Sequence, residues 1–176
     1  PNLLSAFHHD EDIHTSTAVQ VFSVAPEQVT SEMRRVAKTI NFGVIYGISE
    51  YGLSERTELS RGDAATFITR YFANYPGVRS YMEATKAEAR ELGYVQTLLG
   101  RRRYIPEIAA TNAQIRQAAE RMAINMPVQG TSADIVKLAM VQLHERMRAA
   151  GLRSKMILQV HDELIFEVPQ EELETM

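Results

Sequence analysis

The sequence predicts a mainly α-helical α+β protein, and three features of its 176 residues carry this prediction. Apolar residues recur at helical spacing through most of the chain. Glycine, proline and small polar residues stand where these segments begin and end. Near the C-terminus the pattern changes to two short apolar runs of strand length. A composition of 45% hydrophobic and 23% charged residues is typical of a folded domain and excludes a disordered chain.

Capping residues and helix breakers set the boundaries of the first helices. Thr30 or Ser31 begins a basic helix that ends at Gly47. Ser60 caps a second helix, in which apolar residues recur at positions i, i+3, i+4, i+7 and i+8. Pro76 interrupts this pattern, and a third helix follows it up to a glycine.

The second half of the chain combines helices with short strands. A turn at Gly100 separates two short segments that predict a hairpin. Two helices are predicted over residues 112–126 and 131–150, because Pro127 interrupts the helical pattern between them. A proline followed by two glutamates at 169–172 predicts the start of a last helix.

The net charge of −3 hides an uneven distribution. Residues 28–103 carry twelve Lys and Arg against eight Asp and Glu, whereas residues 1–27 carry four acids and no Lys or Arg. The basic middle of the chain is therefore compatible with a polyanionic partner. The sequence contains no cysteine, which excludes disulfides and thiolate metal sites. No apolar run reaches the roughly 20 residues that cross a bilayer, so we expect a cytoplasmic protein without membrane contact.

On the basic helix, four side chains at intervals of four residues form one stripe, about 18 Å long. The stripe consists of Arg34, Lys38, Phe42 and Tyr46. Cations pair with phosphate oxygens and aromatic rings stack on bases, so the stripe fits a nucleotide. The alternative is a helix whose basic end is solvated and whose two rings belong to the core. Gly43 favours the nucleotide interpretation, because a glycine inside a helix costs about 1 kcal/mol and implies a close approach.

An acidic turn joins the two strand candidates at 156–160 and 164–168. It contains His161, Asp162 and Glu163. Carboxylates on a rigid hairpin suit Mg²⁺, which prefers oxygen ligands. Two-metal phosphoryl transfer needs at least two carboxylates near one point, so another acid must come from elsewhere. The alternative is an ordinary solvated hairpin tip, because turns face water.

Two further groups of polar residues are suited to a polyanion. Arg121, Asn125 and Gln129 recur at intervals of four, and such side chains reach base edges and sugar-phosphate groups. Helix capping and solvent contacts are the alternative for them. Arg101 and Arg102 begin a run of three arginines that is either a phosphate clamp or a solvated patch.

Four motifs together resemble the family A DNA polymerases of the bacterial polymerase I type. RRVAKTINFGVIYG at 34–47 resembles the fingers-helix motif of that family, called motif B, and QVHDE at 159–163 resembles its palm motif C. GRRRYIP at 100–106 and ERMAINMPVQGTSADI at 120–135 also resemble their counterparts, in the same order. The resemblance covers essentially the whole chain.

The resemblance implies fingers helices over residues 1–125 and part of the palm, with a motif C hairpin, over residues 126–176. It implies a DNA-directed DNA polymerase that transfers nucleotides from deoxynucleoside triphosphates (dNTPs) to a primer 3′-hydroxyl with two Mg²⁺ ions. The implied partners are primer–template DNA and dNTPs. The implied location is the bacterial cytoplasm, at the nucleoid, in DNA replication and repair.

The resemblance also implies a role for each residue of the stripe. Arg34 and Lys38 would hold the triphosphate, and Lys38 is a candidate general acid toward the leaving pyrophosphate. Phe42 would pack on the nucleotide sugar and base. Tyr46 would stack at the templating position.

For the second half of the chain, the resemblance implies metal and DNA contacts. Asp162 would be a metal-binding, catalytic carboxylate with Glu163 beside it. The residues expected along the DNA are Arg121, Asn125, Gln129, His161, Arg101 and Arg102.

The sequence departs from the family pattern upstream, because the family's first palm motif matches nothing in residues 1–15. The thumb and the family's C-terminal segment also have no counterpart. We therefore expect the chain alone to be inactive. The hairpin over 156–168 should dock on the 131–150 helix, pair with another copy or join a complementary polymerase fragment. Two alternatives to a polymerase are a non-catalytic nucleic-acid-binding module that retains the basic helix and a helical interaction domain without nucleotide chemistry.

Overall fold

The structure, a computed structural model that describes residues 2–57 and 59–176, confirms a mainly helical α+β fold. The helices are α1 (Asn2–His8), α2 (Ile13–Phe22), α3 (Ser31–Ile45), α4 (Glu50–Ser54), α5 (Arg61–Asn74), α6 (Pro76–Leu92) and α7 (Ala113–Ala149). Two-stranded sheets are formed by β1 (Tyr94–Gln96) with β2 (Arg102–Tyr104), and by β3 (Lys155–Val160) with β4 (Glu163–Glu167). Within the described ranges, no helix is both long and apolar enough to span a bilayer.

Local capping chemistry sets the helix ends where the sequence predicts them. The Thr30 side chain accepts a hydrogen bond from the Met33 N–H at 3.2 Å and begins α3. Ser60 Oγ accepts from the Asp63 N–H at 3.1 Å and begins α5. Gly93 ends α6 in the left-handed conformation, with φ +73°. Each cap satisfies a backbone group that the helix itself leaves unpaired.

The chain folds as two compact units, and the first comprises Pro1–Val95 and Arg102–Met126. In this unit α2 packs on α3, and the apolar face of α3 meets α4 and α5. The buried residues of this cluster are Val36, Ile40, Val44, Leu53, Ala64, Phe67, Tyr71 and Tyr75. Because one face of α3 is fixed in the core, its opposite face is held toward solvent.

The helical segment around Pro127 is one continuous helix, so the prediction that this proline separates two helices is wrong. Helix α7 runs through it for 37 residues. A proline inside a helix costs about 3 kcal/mol, because it removes one donor and its ring crowds the preceding turn. Helix propagation is cooperative, however, and long helical segments on both sides outweigh one lost hydrogen bond. The Thr131 hydroxyl also donates to the Pro127 carbonyl at 2.5 Å.

The second unit comprises Gln96–Arg101 and Pro127–Met176, and a buried carboxylate ties its two segments together. Asp134 accepts hydrogen bonds from the Thr97 hydroxyl at 2.7 Å and from Arg101 Nε at 2.5 Å. These bonds, led by that from Thr97, hold the pKa of Asp134 below its usual value. These hydrogen bonds hold the turn at 97–101 in the second unit. By contrast, the sequence predicts that this turn belongs to the fingers, residues 1–125. The assignment of the units as fingers and palm stays a prediction.

The β3–β4 hairpin is exposed rather than packed on a helix. Val160 lies opposite Glu163 in an antiparallel register. Ile157 is 57% exposed and Leu158 is 54% exposed. The expectation that this hairpin docks on the preceding helix is therefore wrong, whereas pairing with another chain stays a prediction.

The chain after β4 forms a 3₁₀ turn, Gln170–Glu172, instead of the predicted start of a helix. The Glu172 carboxylate accepts hydrogen bonds from the Ser154 N–H at 2.9 Å and from its hydroxyl at 2.6 Å. This tertiary contact holds the segment against the start of β3.

Candidate functional site

Helix α3 presents the predicted stripe on its exposed face. The exposed side chains are Arg34, Lys38, Phe42 and Tyr46. The two rings are 47% and 37% exposed, respectively. Core packing therefore uses the other face of the helix, and the alternative in which both rings belong to the core is wrong.

The two exposed rings lie nearly parallel to each other at one end of the stripe. The ring centroids of Phe42 and Tyr46 are 6.4 Å apart, and the ring planes differ by 22°. Nearly parallel rings one helical turn apart suit a planar partner such as a nucleobase. The cations at the other end suit phosphate oxygens.

An acid from the preceding helix holds the first cation of the stripe. Arg34 Nε donates to an Asp12 carboxylate oxygen at 2.6 Å, and both side chains are about half exposed. Asp12 also caps α2 by accepting from the His14 N–H and the Thr15 hydroxyl. The hydrogen bond from Arg34 is the main reason that the pKa of Asp12 lies well below its usual range.

A histidine that no sequence pattern singled out also lies at the stripe. The His14 ring centroid is 5.8 Å from that of Phe42. Burial lowers the pKa of His14; the Asp12 carboxylate opposes this shift and the stripe's two cations add to it. Only the packing of α2 on α3 brings His14 to Phe42, so spacing along the sequence carries no signal for it.

A cleft of about 950 Å³ opens beside the aromatic end of the stripe. Phe42 and Tyr46 line it from α3, and Arg121 and Asn125 line it from α7. Gly47 has φ +72°, and a Cβ there would lie 3.1 Å from Arg121 Cγ. The glycine therefore lets the arginine side chain lie against the end of α3. The fold thus brings together four residues that the sequence analysis selected from two separate motifs.

The Asn125 side chain has an unsatisfied acceptor. Its Oδ1 is buried and has no hydrogen-bond partner among the described residues. Leaving a buried acceptor unpaired costs about 1–3 kcal/mol, so native structures usually provide a donor. Asn125 also lines the cleft, but its Oδ1 has almost no accessible surface, so a ligand in the cleft does not reach this atom.

The glycine inside α3 makes room for a neighbouring side chain of the same chain. A Cβ on Gly43 would lie 3.0 Å from Ile48 Cγ2. The Ile48 N–H also donates to the Gly43 carbonyl at 2.8 Å. Packing within the chain, rather than a ligand, accounts for this glycine.

The acidic turn lies in the second unit, and its residues are exposed. His161 and Asp162 form a two-residue turn that ends at Glu163. His161 has φ +56°, which costs about 1–2 kcal/mol for a residue with a Cβ. The Gln159 side chain supports the turn by donating to the His161 carbonyl at 2.8 Å. Over residues 2–57 and 59–176, no group of three or more His, Cys, Asp or Glu residues is placed to hold a metal ion.

Three other residues that are predicted to contact DNA have different local environments. Gln129 is exposed on α7 in the second unit. Arg101 is bonded to Asp134, and its side chain is 53% exposed. The Arg102 guanidinium lies 4.6 Å from the centroid of the Tyr94 ring, a cation–π contact. Both arginines therefore have structural partners, and their role at DNA stays a prediction.

Comparison with known proteins bears on all of these sites, because one family accounts for the whole chain. The sequence model of DNA polymerase family A matches residues 1–176. The chain belongs to DNA polymerase family A. Family A membership agrees with the motifs at 34–47 and 159–163.

Two bacterial relatives show how much of a longer protein this chain matches. DNA polymerase I of Bacillus caldotenax is 53% identical over 175 residues, which cover 99% of this chain and 20% of the relative. The thermostable DNA polymerase I of Thermus thermophilus is 54% identical over 169 residues, which cover 96% of this chain and 20% of that relative. A solved structure of the POL domain of Pol1 from M. smegmatis, in complex with DNA primer-template and dNTP, is similar with a TM-score of 0.90. It is 45% identical, and the match covers 98% of this chain and 30% of that one. This family A chain thus spans about a fifth of the length of its two relatives.

Proposed function

We propose that this family A chain takes part in template-directed DNA synthesis, the transfer of a nucleotide from a dNTP to a primer 3′-hydroxyl. One observation carries the proposal: α3 exposes two cations and two nearly parallel rings along one face. That arrangement matches the charge and shape of a nucleoside triphosphate. The similar POL domain of Pol1, solved with DNA primer-template and dNTP, supports the same partners for this chain.

In this proposal the dNTP lies along the stripe. Arg34 and Lys38 bind the triphosphate, and Phe42 packs on the sugar and base. Tyr46 stacks at the templating position beside the cleft. His14 joins the triphosphate-binding group, because its ring lies next to Phe42 and within electrostatic range of both cations.

The DNA contacts are proposed for residues of both units. Arg121 and Asn125 follow the minor-groove side of the nascent base pair, and their place in the lining of the cleft beside Phe42 and Tyr46 supports this assignment. The other proposed DNA-contacting residues are Gln129, His161, Arg101 and Arg102.

The acidic turn is proposed to contribute to a two-Mg²⁺ site. Carboxylate oxygens are the right donors for Mg²⁺, but the turn supplies only Asp162 and the neighbouring Glu163. The described residues contain no group of three or more His, Cys, Asp or Glu side chains that could hold a metal ion, and two-metal transfer needs at least two carboxylates near one point. We therefore propose that Asp162 is one ligand and that a second carboxylate comes from outside the 176 residues. When bound, the two ions stabilise negative charge on the attacking and leaving oxygens.

The proposed reaction is an in-line displacement at phosphorus. The primer 3′-oxygen attacks the α-phosphorus and loses its proton to water, and a phosphodiester bond forms. The bond from the α-phosphorus to the bridging oxygen breaks, and pyrophosphate leaves. Lys38 donates a proton to the leaving pyrophosphate, while Arg34 holds its charge. Positioning and electrostatic stabilisation supply the rate enhancement.

The proposal has consequences for the isolated chain. It would bind dNTPs and DNA without extending a primer, because its metal ligands are incomplete. The exposed β3–β4 hairpin would pair with another copy or with a complementary polymerase fragment. Its chromosomal substrate would place it at the nucleoid in the bacterial cytoplasm.

A binding experiment tests the role of the stripe. Titration with a fluorescent dNTP should show about tenfold weaker binding for Lys38→Gln, because a charged hydrogen bond to phosphate is lost. Arg35→Gln is the matched control, since it removes the same charge from the same helix but off the stripe, where Arg35 bonds Glu32 at 2.8 Å. We expect less than about a twofold change for the control. Equal losses in both variants would contradict a specific site.

Primer extension separates a polymerase from the second candidate function, a non-catalytic nucleic-acid-binding module. The assay uses Mg²⁺ and all four dNTPs, with this chain alone and with the chain extended upstream by a relative's missing carboxylate motif. Extension only by the longer protein supports the polymerase. DNA binding without extension in either form supports the module, and extension by the chain alone would show that its own acids complete the site.

A further inference from the structure

Asn41 is a buried polar residue beneath the stripe, and its hydrogen bonds run to α2. The side chain is 5% exposed and lies on the inner face of α3. Its Oδ1 lies 3.0 Å from the Thr17 hydroxyl oxygen, whose single proton is shared with the Ile13 carbonyl oxygen at 2.7 Å. Its Nδ2 lies 3.3 Å from the Ile13 carbonyl oxygen and 3.0 Å from His14 Nδ1. The amide thus has three partners on one neighbouring helix.

These partners determine which way the amide faces. The Ile13 carbonyl oxygen has no proton and only accepts hydrogen bonds. If the amide were rotated by 180°, its oxygen would face that carbonyl oxygen, with two acceptors and no proton between them. The NH₂ group of Asn41 therefore faces Ile13, and its second N–H is directed at His14 Nδ1.

The orientation of the Asn41 amide determines which nitrogen of the His14 ring carries the proton. An N–H donor at 3.0 Å requires that His14 Nδ1 carry a lone pair rather than a proton. The neutral ring must then carry its proton on Nε2. Protonation to imidazolium would place an Nδ1–H against the amide N–H, so the Asn41 contact opposes the charged form. Burial and the two cations of the stripe oppose it as well, whereas the Asp12 carboxylate favours it.

We propose that Asn41 is a positioning residue that fixes the Nε2–H tautomer of His14 and so makes this ring a neutral hydrogen-bond donor to the triphosphate. The ligand in this inference rests on the proposed function, whereas the tautomer does not. A neutral donor adds a directed hydrogen bond beside two cations without adding a third positive charge, and it is present throughout the neutral pH range.

A purely structural role for Asn41 makes different predictions. Asn41 would then only join α2 to α3, so its replacement would lower stability and leave the tautomer of His14 unchanged. Thr17→Val is a matched control, because it removes a hydroxyl that bonds Oδ1 and the Ile13 carbonyl oxygen of the same buried network, while the direct contact between Nδ2 and His14 keeps both of its atoms.

The test is long-range ¹H–¹⁵N NMR of ¹⁵N-histidine-labelled chain without nucleotide. The five histidines of the sequence are assigned with His14→Gln. We expect His14 Nδ1 to have the shift of an unprotonated ring nitrogen and Nε2 that of a protonated one, in wild type and in Thr17→Val. In Asn41→Asp the carboxylate should accept from Nδ1–H, which reverses the tautomer and raises the midpoint of His14 titration by about 1 to 3 pH units. A protonated Nδ1 in the wild-type chain overturns the inference even where a variant fails to fold.

Adding a dNTP separates the two parts of the inference. A shift of the His14 Nε2–H resonance on titration supports the donor role, and Asn41→Asp should then bind the dNTP at least about fivefold more weakly, while Thr17→Val stays within about twofold. If the chain binds dNTP and His14 does not respond, the donor role is wrong. If no dNTP binds although the tautomer is as expected, the proposed function fails and the positioning role of Asn41 stands.

Discussion

The ion pair between Asp12 and Arg34 should compete with a triphosphate for the same guanidinium. Asp12→Asn tests this, because asparagine is as good a helix N-cap as aspartate and its one amide oxygen keeps the acceptor for the His14 N–H, while the amide nitrogen replaces the oxygen that accepts from the Thr15 hydroxyl. The substitution therefore removes the charge while α2 stays capped. By contrast, Asp12→Ala would also lose the cap, at about 1 kcal/mol of folding stability.

The expected size of the effect follows from the exposure of the pair. Arg34 and Asp12 are 47% and 40% exposed, so solvent screens their attraction despite the 2.6 Å contact. Exposed pairs of this kind change an equilibrium by a factor of roughly 1.4 to 5. We therefore expect dNTP to bind about two- to fivefold more tightly to Asp12→Asn than to wild type.

The assay is a fluorescent dNTP titration near neutral pH, with Glu32→Gln as the control. Glu32 is an acid in the first turn of α3, but it bonds Arg35 and not a residue of the stripe. The pKa of Asp12 is lowered in the folded state, so the contribution of the pair is complete above the ordinary carboxyl pKa and is lost only as pH falls through the lowered value. Weaker binding to Asp12→Asn would refute competition and show that Asp12 holds Arg34 in its binding position.

Three further predictions concern folding stability, measured by urea unfolding. Ile40→Ala should lower the free energy of unfolding by about 2–5 kcal/mol, because Ile40 is fully buried. Phe42→Ala should lower it by under about 1 kcal/mol, because the ring is exposed, and equal losses in the two variants would contradict an exposed stripe. Gly43→Ala should lower the free energy of unfolding by about 1–2 kcal/mol although alanine has the better helix propensity, because the new Cβ would lie 3.0 Å from Ile48 Cγ2. In a protein that already carries Ile48→Ala, the same substitution should not have this cost. The lowered pKa of Asp134 should make stability fall as pH drops below the ordinary carboxyl pKa, and Asp134→Asn should flatten that decline, unless the contact is absent in solution.

Local chemistry made much of the fold predictable. Ser60 begins a helix because its side chain accepts a hydrogen bond from a backbone N–H three residues later. Gly93 ends a helix because glycine adopts the left-handed conformation without a steric cost, and neither rule needs tertiary information. The prediction at Pro127 was wrong because the same local rule competes with the cooperativity of a long helix. The predicted helix after Pro169 was wrong because a tertiary contact competes with the local rule: Glu172 bonds Ser154, which is 18 positions away in the sequence.

The sequence by itself determined the family and the stripe on α3. The four residues of the stripe lie on one helix, where a fixed rise and rotation convert spacing along the chain directly into geometry. Motif order was likewise readable, because it is a property of the linear sequence. Neither conclusion depends on how one helix packs against another.

Only the tertiary structure decided which groups surround that stripe. Asp12 and His14 reach it because α2 packs on α3, and Asn41 reaches His14 across the same interface. The structure also decided that the rings of Phe42 and Tyr46 face solvent while Gly43 serves internal packing. Periodicity shows that a helix has two faces, but burial depends on the shape of the neighbouring elements, which bring together residues more than twenty positions apart. For that reason the charge partners and the hydrogen bonds of the site required the fold.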